Sequence, residues 1–289
     1  MNQIPPEWIR WIDENVLRGV SEKKLIDAMV KAKFGNELAA ATIASRTLER
    51  IRASAAAPDA TTVTDAVPKE YRYEGCGLNT GNKVHIDGHN IAVLMKLEKP
   101  RAILFGNVLS HDECDQLIAL SKTKLLRSGV VDHQTGNTKL HEHRTSSGTF
   151  FHRGTTPFIA MIDKRLAALM QVPESHGEGL QILNYQMGGE YRPHYDYFRP
   201  DAPGSAKHLA RGGQRTATLI IYLNDVDGGG ETIFPRNGLS IVPAKGSAIY
   251  FSYTNAENQL DSLSFHGGSP VIEGEKWIAT KWVRQNEYR

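Results

Sequence analysis

His194 and Asp196 are separated by one residue. In an extended strand, positions i and i+2 face the same way, so this imidazole and this carboxylate can grip one ion from a single side. His266 can reach the same ion from a second strand, and Lys276 follows shortly after it. Two imidazoles and one carboxylate on one face of an octahedral ion leave three positions open, the arrangement of non-haem Fe(II) centres that activate O2. A bare His-x-Asp also arises by chance. The other reading of this pair is a hydrogen-bonded His–Asp contact at the rim of a barrel.

Lys276 opens the run Lys-Trp-Ile-Ala-Thr-Lys-Trp-Val. A period of two puts Lys276, Ile278, Thr280 and Trp282 on one face and Trp277, Ala279 and Lys281 on the other. A lysine sharing a face with Ile and Trp is expected to be buried. A buried ammonium needs an anion, because desolvating it alone is costly. A dicarboxylate held by a metal at one end would supply that anion at the other; snorkelling of Lys276 to the surface is the alternative. Among the 11 histidines, His141 and His143 also stand at i and i+2, but Glu142 between them would face away, and they are not assigned as ligands.

These residues must be placed by the elements around them. Residues 1–57 read as three short helices: Trp8, Trp11, Ile12 and Val16 recur at helical spacing, as do Leu25, Ile26, Met29 and Val30, then Leu38, Ile43, Leu48 and Ile51. Residues 58–80 form a linker rich in Thr, Pro and Asp. From there to residue 289 the texture is β, with an Asp87-Gly88 hairpin turn and strands ending in glycine turns. A Ser110-x-x-Glu113 capping box opens one helix, and a second is expected over 157–170. Residues 128–148 are polar and read as a long loop. The fold class expected is mainly β with helices (α+β): a double-stranded β-helix, or jelly-roll, barrel with supporting helices, preceded by a small helical domain.

Composition narrows the partners. A net charge of +2 gives no reason to expect nucleic acid or an anionic membrane. No run approaches the length that spans a bilayer, and the N-terminus lacks the pattern of a secretory signal. The two cysteines, Cys76 and Cys114, are too few for a disulfide framework, and a cytoplasmic location is expected. Oligomeric state is not readable.

Taken together, four stretches resemble the prolyl 4-hydroxylase family of Fe(II)/2-oxoglutarate dioxygenases. They are Asn184-Tyr-Gln-Met-Gly-Gly-Glu-Tyr-Arg-Pro-His-Tyr-Asp196, Gly213-Gln-Arg-Thr-Ala-Thr-Leu219, Gly229-Gly-Glu-Thr-Ile-Phe-Pro235 and His266-Gly-Gly through Lys276-Trp-Ile-Ala-Thr-Lys-Trp282. The resemblance spans roughly residues 100–289 and not the N-terminal helices. It implies Fe(II) on His194, Asp196 and His266. It further implies 2-oxoglutarate anchored by Lys276, with Tyr185 and Thr232 as hydrogen-bonding partners, and Arg215 and Trp282 near the substrate cleft. O2 is the second co-substrate, ascorbate belongs to the same family pattern, and the products are succinate, CO2 and a hydroxylated C–H. Asp196 favours hydroxylation, because related halogenases lack that carboxylate. The substrate implied is a prolyl residue of a peptide or protein. A free amino acid or other small molecule is the nearest rival, because fold does not set substrate. A non-catalytic cupin-like metal-binding module, or an adaptor built on the N-terminal helices, would be a different class.

Overall fold

In the computed structural model the residues described are 4–17, 22–36, 38–40, 42–47, 70–74, 78, 81–132, 134–140 and 144–289. The chain divides into two compact units, Met1–Ala66 and Val67–Arg289. In the first, helices Pro6–Leu17 and Glu22–Lys31 are followed by helical residues at 38–40 and 42–47. Their apolar stripes meet in a core of Ile12, Val16, Leu25, Met29, Ala39 and Ile43. Trp8 adds edge-to-face contacts with Trp11 and Phe34, each at 5.1 Å between ring centroids. Val30, expected on the buried stripe, is 42% exposed, because the contact is narrow and is filled by Leu25 and Met29. Leu48 and Ile51 lie outside the described residues.

The second unit is built on a sheet that has nine strands among the described residues. In spatial order they are Lys83–Ile86, His89–Leu97, Ala102–Gly106, Ala248–Ser252, Arg215–Tyr222, Lys276–Arg284, Leu180–Tyr185, Ser147–Phe151 and Leu126–Arg127, each antiparallel to its neighbours. The first pair is closed by Asp87 and Gly88, both at positive φ (47° and 82°), as a two-residue turn of matching twist requires. A smaller sheet carries Leu239–Ile241, Thr232–Phe234, His266–Gly268 and Tyr191–His194.

Strand parity divides the interior in two. One face of the large sheet, including Leu180, Ile182, Leu219, Ile221, Trp277 and Ala279, packs on helices His111–Ser121 and Pro157–Met170. Both helices start as their sequences direct: Ser110 and Glu113 form the reciprocal capping box, and Thr156 caps the second with Pro157 in its first turn. The other face, with Leu183, Tyr185, Ile220, Tyr222 and Ile278, packs on Phe234 and Ile241 of the small sheet. This is the double-sheet arrangement expected of a jelly roll. Among the described residues the large sheet does not close into a cylinder; it ends at Lys83–Ile86 and Leu126–Arg127.

Residues 128–148 depart from the long loop expected. Gly129–Val131 pairs with Thr138–Leu140 as a hairpin, and Ser147 already lies in a strand of the large sheet. Val130 and Val131 supply the β-branched side chains, and Asp132 organises the turn by accepting from the backbone N–H groups of Gln134 and Thr135. His133 and His141 to His143 lie outside the described residues.

Candidate active site

Two adjacent antiparallel strands of the small sheet bring the candidate ligands together. His194 ends the strand Tyr191–His194 and stands directly opposite His266, which opens His266–Gly268. Asp196 lies just beyond the strand, so the i, i+2 relation survives although the second residue is in a bend. Asp196 Oδ1 is 3.5 Å from His194 Nε2, and Asp196 Oδ2 is 3.5 Å from His266 Nε2. One ligand atom from each of the three side chains falls within 4.8 Å of the others.

The environment suits a cation. Each imidazole spends its Nδ1 on a backbone carbonyl, His194 on Arg192 and His266 on Ser264, both at 2.9 Å, which turns both Nε2 atoms inward. Burial pushes His266 down to about 4, so it is a neutral donor at pH 7. Burial alone would raise the carboxyl of Asp196, but the imidazoles of His266 and His194, with Arg215, outweigh it and hold Asp196 well below the usual carboxylate range. Two imidazoles and an ionised carboxylate are the donor set that Fe(II) takes with positions left open.

These three residues line one pocket together with Tyr185, Thr232, Lys276 and Trp282, among others. Lys276 is 3% exposed. Among the described residues its Nζ makes no hydrogen bond or ion pair; burial lowers it to about 8, and the charge of Glu231 only partly opposes that. Tyr185 sits opposite Lys276 across the strand pair, and Thr232 is paired with Gly268. Tyr222, fully buried, donates to Thr232 Oγ1 at 2.8 Å, so the threonine proton is left for another acceptor. A Cβ at Gly268 would stand 3.6 Å from Lys276 Nζ, so the glycine leaves the ammonium room for an anion. A buried cation with open space in front of it fits the distal carboxylate of 2-oxoglutarate.

Arg215 does not line the pocket itself. Its guanidinium stacks on the Trp282 ring at 3.9 Å and donates to the Asp196 carbonyl at 3.3 Å, so it stands behind the site wall. Glu178, to which the sequence analysis gave no role, holds it there. One carboxylate oxygen of Glu178 accepts from Arg215 Nε (2.7 Å) and Arg284 Nε (2.6 Å), and the other accepts from Arg215 Nη2 (3.0 Å). Arg215 and Arg284 are direct cross-strand partners, and like charges so placed need an acid between them. Arg144 was also missed. It stacks over Tyr191 at 4.7 Å, and Tyr191 stacks on His194 at 3.7 Å, so a cation braces this candidate ligand through one aromatic ring. Among the described residues Arg144 donates to the neutral acceptors Gly129 O, Gln181 Oε1 and Ser146 Oγ.

A site that pairs two histidines and a carboxylate with a buried lysine defines an Fe(II)/2-oxoglutarate-dependent dioxygenase, and the profile of the 2OG-Fe(II) oxygenase superfamily matches residues 180–284. Among curated proteins, the chain is 43% identical over 210 residues to probable prolyl 4-hydroxylase 3 of Arabidopsis thaliana, covering 66% of this chain and 71% of the relative. It is 41% identical over 210 residues to prolyl 4-hydroxylase 5 of the same plant, covering 66% and 70%. Among solved structures, the viral collagen prolyl hydroxylase of Paramecium bursaria Chlorella virus-1, in complex with 2-oxoglutarate, aligns at a TM-score of 0.50 with 30% identity, over 63% of this chain and 95% of that one. The chain belongs to the prolyl 4-hydroxylase family of 2OG-Fe(II) oxygenases. Fe(II) is its cofactor and 2-oxoglutarate its co-substrate.

Proposed function

We propose that the chain hydroxylates a prolyl residue, at the 4-position, in a peptide or protein. The observation that carries the reading is Lys276: a buried ammonium without an ion-pair partner among the described residues, in the same pocket as His194, Asp196 and His266. In this reading His194, Asp196 and His266 hold Fe(II), and Lys276, Tyr185 and Thr232 hold 2-oxoglutarate. When bound, the iron couples decarboxylation of 2-oxoglutarate to succinate and CO2 with insertion of one O2-derived oxygen into an unactivated C–H.

The chain's own residues supply position. Thr232 and Tyr185 orient the co-substrate carboxylate that Lys276 neutralises. Trp282 forms part of the pocket wall that faces the substrate, and Arg215, fixed by Glu178, holds that ring from behind. The similarity to plant prolyl 4-hydroxylases over 66% of the chain supports a prolyl substrate rather than a free amino acid. Ascorbate is proposed as the reductant that returns oxidised iron to Fe(II). The free thiol of Cys114 fits a reducing compartment such as the cytoplasm. No helix of the described residues is long and apolar enough to cross a membrane. Residues 1–57 are proposed as a docking or packing module joined by residues 58–80 to the oxygenase domain, residues 81–289.

The test is turnover of prolyl peptides followed by mass spectrometry. One added oxygen on proline, in stoichiometric balance with succinate and dependent on Fe(II), 2-oxoglutarate and O2, is the expected result. Oxygen found only on free amino acids would replace the prolyl reading. Activity retained in folded His194→Ala and His266→Ala would remove the metal assignment.

A further inference from the structure

We infer that Thr218 and Tyr253 are positioning residues for the metal site: they hold Asp196 to a single ligating oxygen and so preserve the number of open coordination positions. The inference rests on Asp196 being an iron ligand, and it adds the device that controls how this carboxylate binds.

Thr218 lies in the strand Arg215–Tyr222 at the middle of the large sheet, paired with Phe251 on one side and Trp282 on the other. Its side chain is fully buried and donates to Asp196 Oδ2 at 2.7 Å. Tyr253, also fully buried, brings its hydroxyl to 3.1 Å from the same Thr218 oxygen. The direction of this chain follows from proton counting. A threonine hydroxyl has one proton, and an ionised carboxylate can only accept. The Thr218 proton is therefore committed to Asp196, and Tyr253 must be the donor to Thr218. Successive bonds of one direction polarise each other, so the Tyr253 donor strengthens the Thr218 bond to the carboxylate.

The consequence is geometric. A carboxylate beside a metal can bind through one oxygen or through both. Binding through both would take one of the positions that a chelating keto acid and O2 need. With one lone pair of Oδ2 engaged by Thr218, Oδ1 is the oxygen better placed to ligate. Both hydroxyls sit where water cannot replace them, so their removal leaves Oδ2 unsatisfied and able to swing to the metal.

Titration of the metal-free full chain with Co(II), read by its visible d–d absorption, tests this without turnover. Thr218→Val keeps shape and removes the hydroxyl; it is expected to change the absorption band, as a second carboxylate oxygen joins the metal, and to shift Co(II) affinity by about 10-fold or more. Thr218→Ser is expected to restore both, and Tyr253→Phe to move both in the same direction by less. A Thr218→Val protein matching wild type in affinity and band overturns the inference. If Thr218→Val lacks the native circular dichroism, Tyr253→Phe decides: an affinity and band identical to wild type overturn the proposal. Failure of the wild-type chain itself to bind one Co(II) would instead overturn the metal reading on which the inference stands.

Discussion

Lys276 and Lys281 stand on one strand, are 3% and 2% exposed, and project from opposite faces of the sheet. Lys281 is fully partnered: its Nζ donates to Asp163 Oδ1 and to the Glu178 carbonyl, both at 2.6 Å. Lys276 faces the pocket without such a partner among the described residues. Two lysines of equal burial thus divide into one held by the protein and one held ready for a ligand.

The first consequence is a pH dependence. Burial lowers the free Lys276 ammonium to about 8. The anion binds the charged form, so affinity for 2-oxoglutarate should be level below that value. Above it, binding must recruit a proton, and affinity should fall up to about tenfold per pH unit. Calorimetric titration of the anaerobic Fe(II) protein from pH 6.5 to 9.5 checks this, and a level profile to the upper end would count against it. Lys276→Ala should raise the 2-oxoglutarate requirement by at least about tenfold and abolish the pH dependence.

Lys281 should behave oppositely. Lys281→Met strands the fully buried Asp163 carboxylate and is expected to cost about 3–5 kcal/mol of stability in urea unfolding. The double replacement Lys281→Met with Asp163→Leu removes both charges and should recover most of that loss. In either variant the folded fraction should keep the wild-type 2-oxoglutarate requirement. A changed requirement would mean that the two faces communicate.

Glu178 is the common anchor of Arg215 and Arg284. Burial would raise its carboxyl, but the two guanidiniums outweigh that and hold it below its ordinary value. Glu178→Gln should destabilise the fold by about 3–5 kcal/mol, because two cross-strand cations are left facing each other. It should also raise KM for a prolyl peptide more than it lowers kcat, since Arg215 loses its fixed place against Trp282. Steady-state kinetics of the folded variant separate the two effects; an unchanged KM would confine Glu178 to stability.

The N-terminal helices offer a cleaner separation. Deleting residues 1–57 should leave turnover of a short prolyl peptide unchanged and raise KM several-fold for an intact protein substrate. Equal kinetics on both would remove the docking role.

Local chemistry made much of this legible in advance. Ser110 and Glu113 announced a helix start, Asp87-Gly88 a hairpin, and the alternation after Lys276 placed that lysine on an inward face. His194 and Asp196 were legible as a pair because their relation is two residues long. What stayed hidden depends on sheet register. That Arg215 would face Arg284 and need Glu178 follows from a cross-strand pairing no local spacing encodes. The same is true of Thr218 reaching Asp196 and of Arg144 bracing Tyr191. The hairpin within 128–148 was concealed by its polar faces, since a strand pair outside the core lacks the alternation that betrays one.

Every position from Lys276 to Arg284 is buried, alternating between the pocket face and the helix-covered core. A mutation on this strand that retunes the pocket therefore also tests whether the chain still folds. Drift toward new substrates is channelled away from it, to surfaces where a change of side chain costs little. Among the described residues the hairpin Gly129–Val131 with Thr138–Leu140 belongs to no core cluster and pairs with neither main sheet. That makes the strand the part of the chain least free to change, and the hairpin a part where substitution costs the fold little.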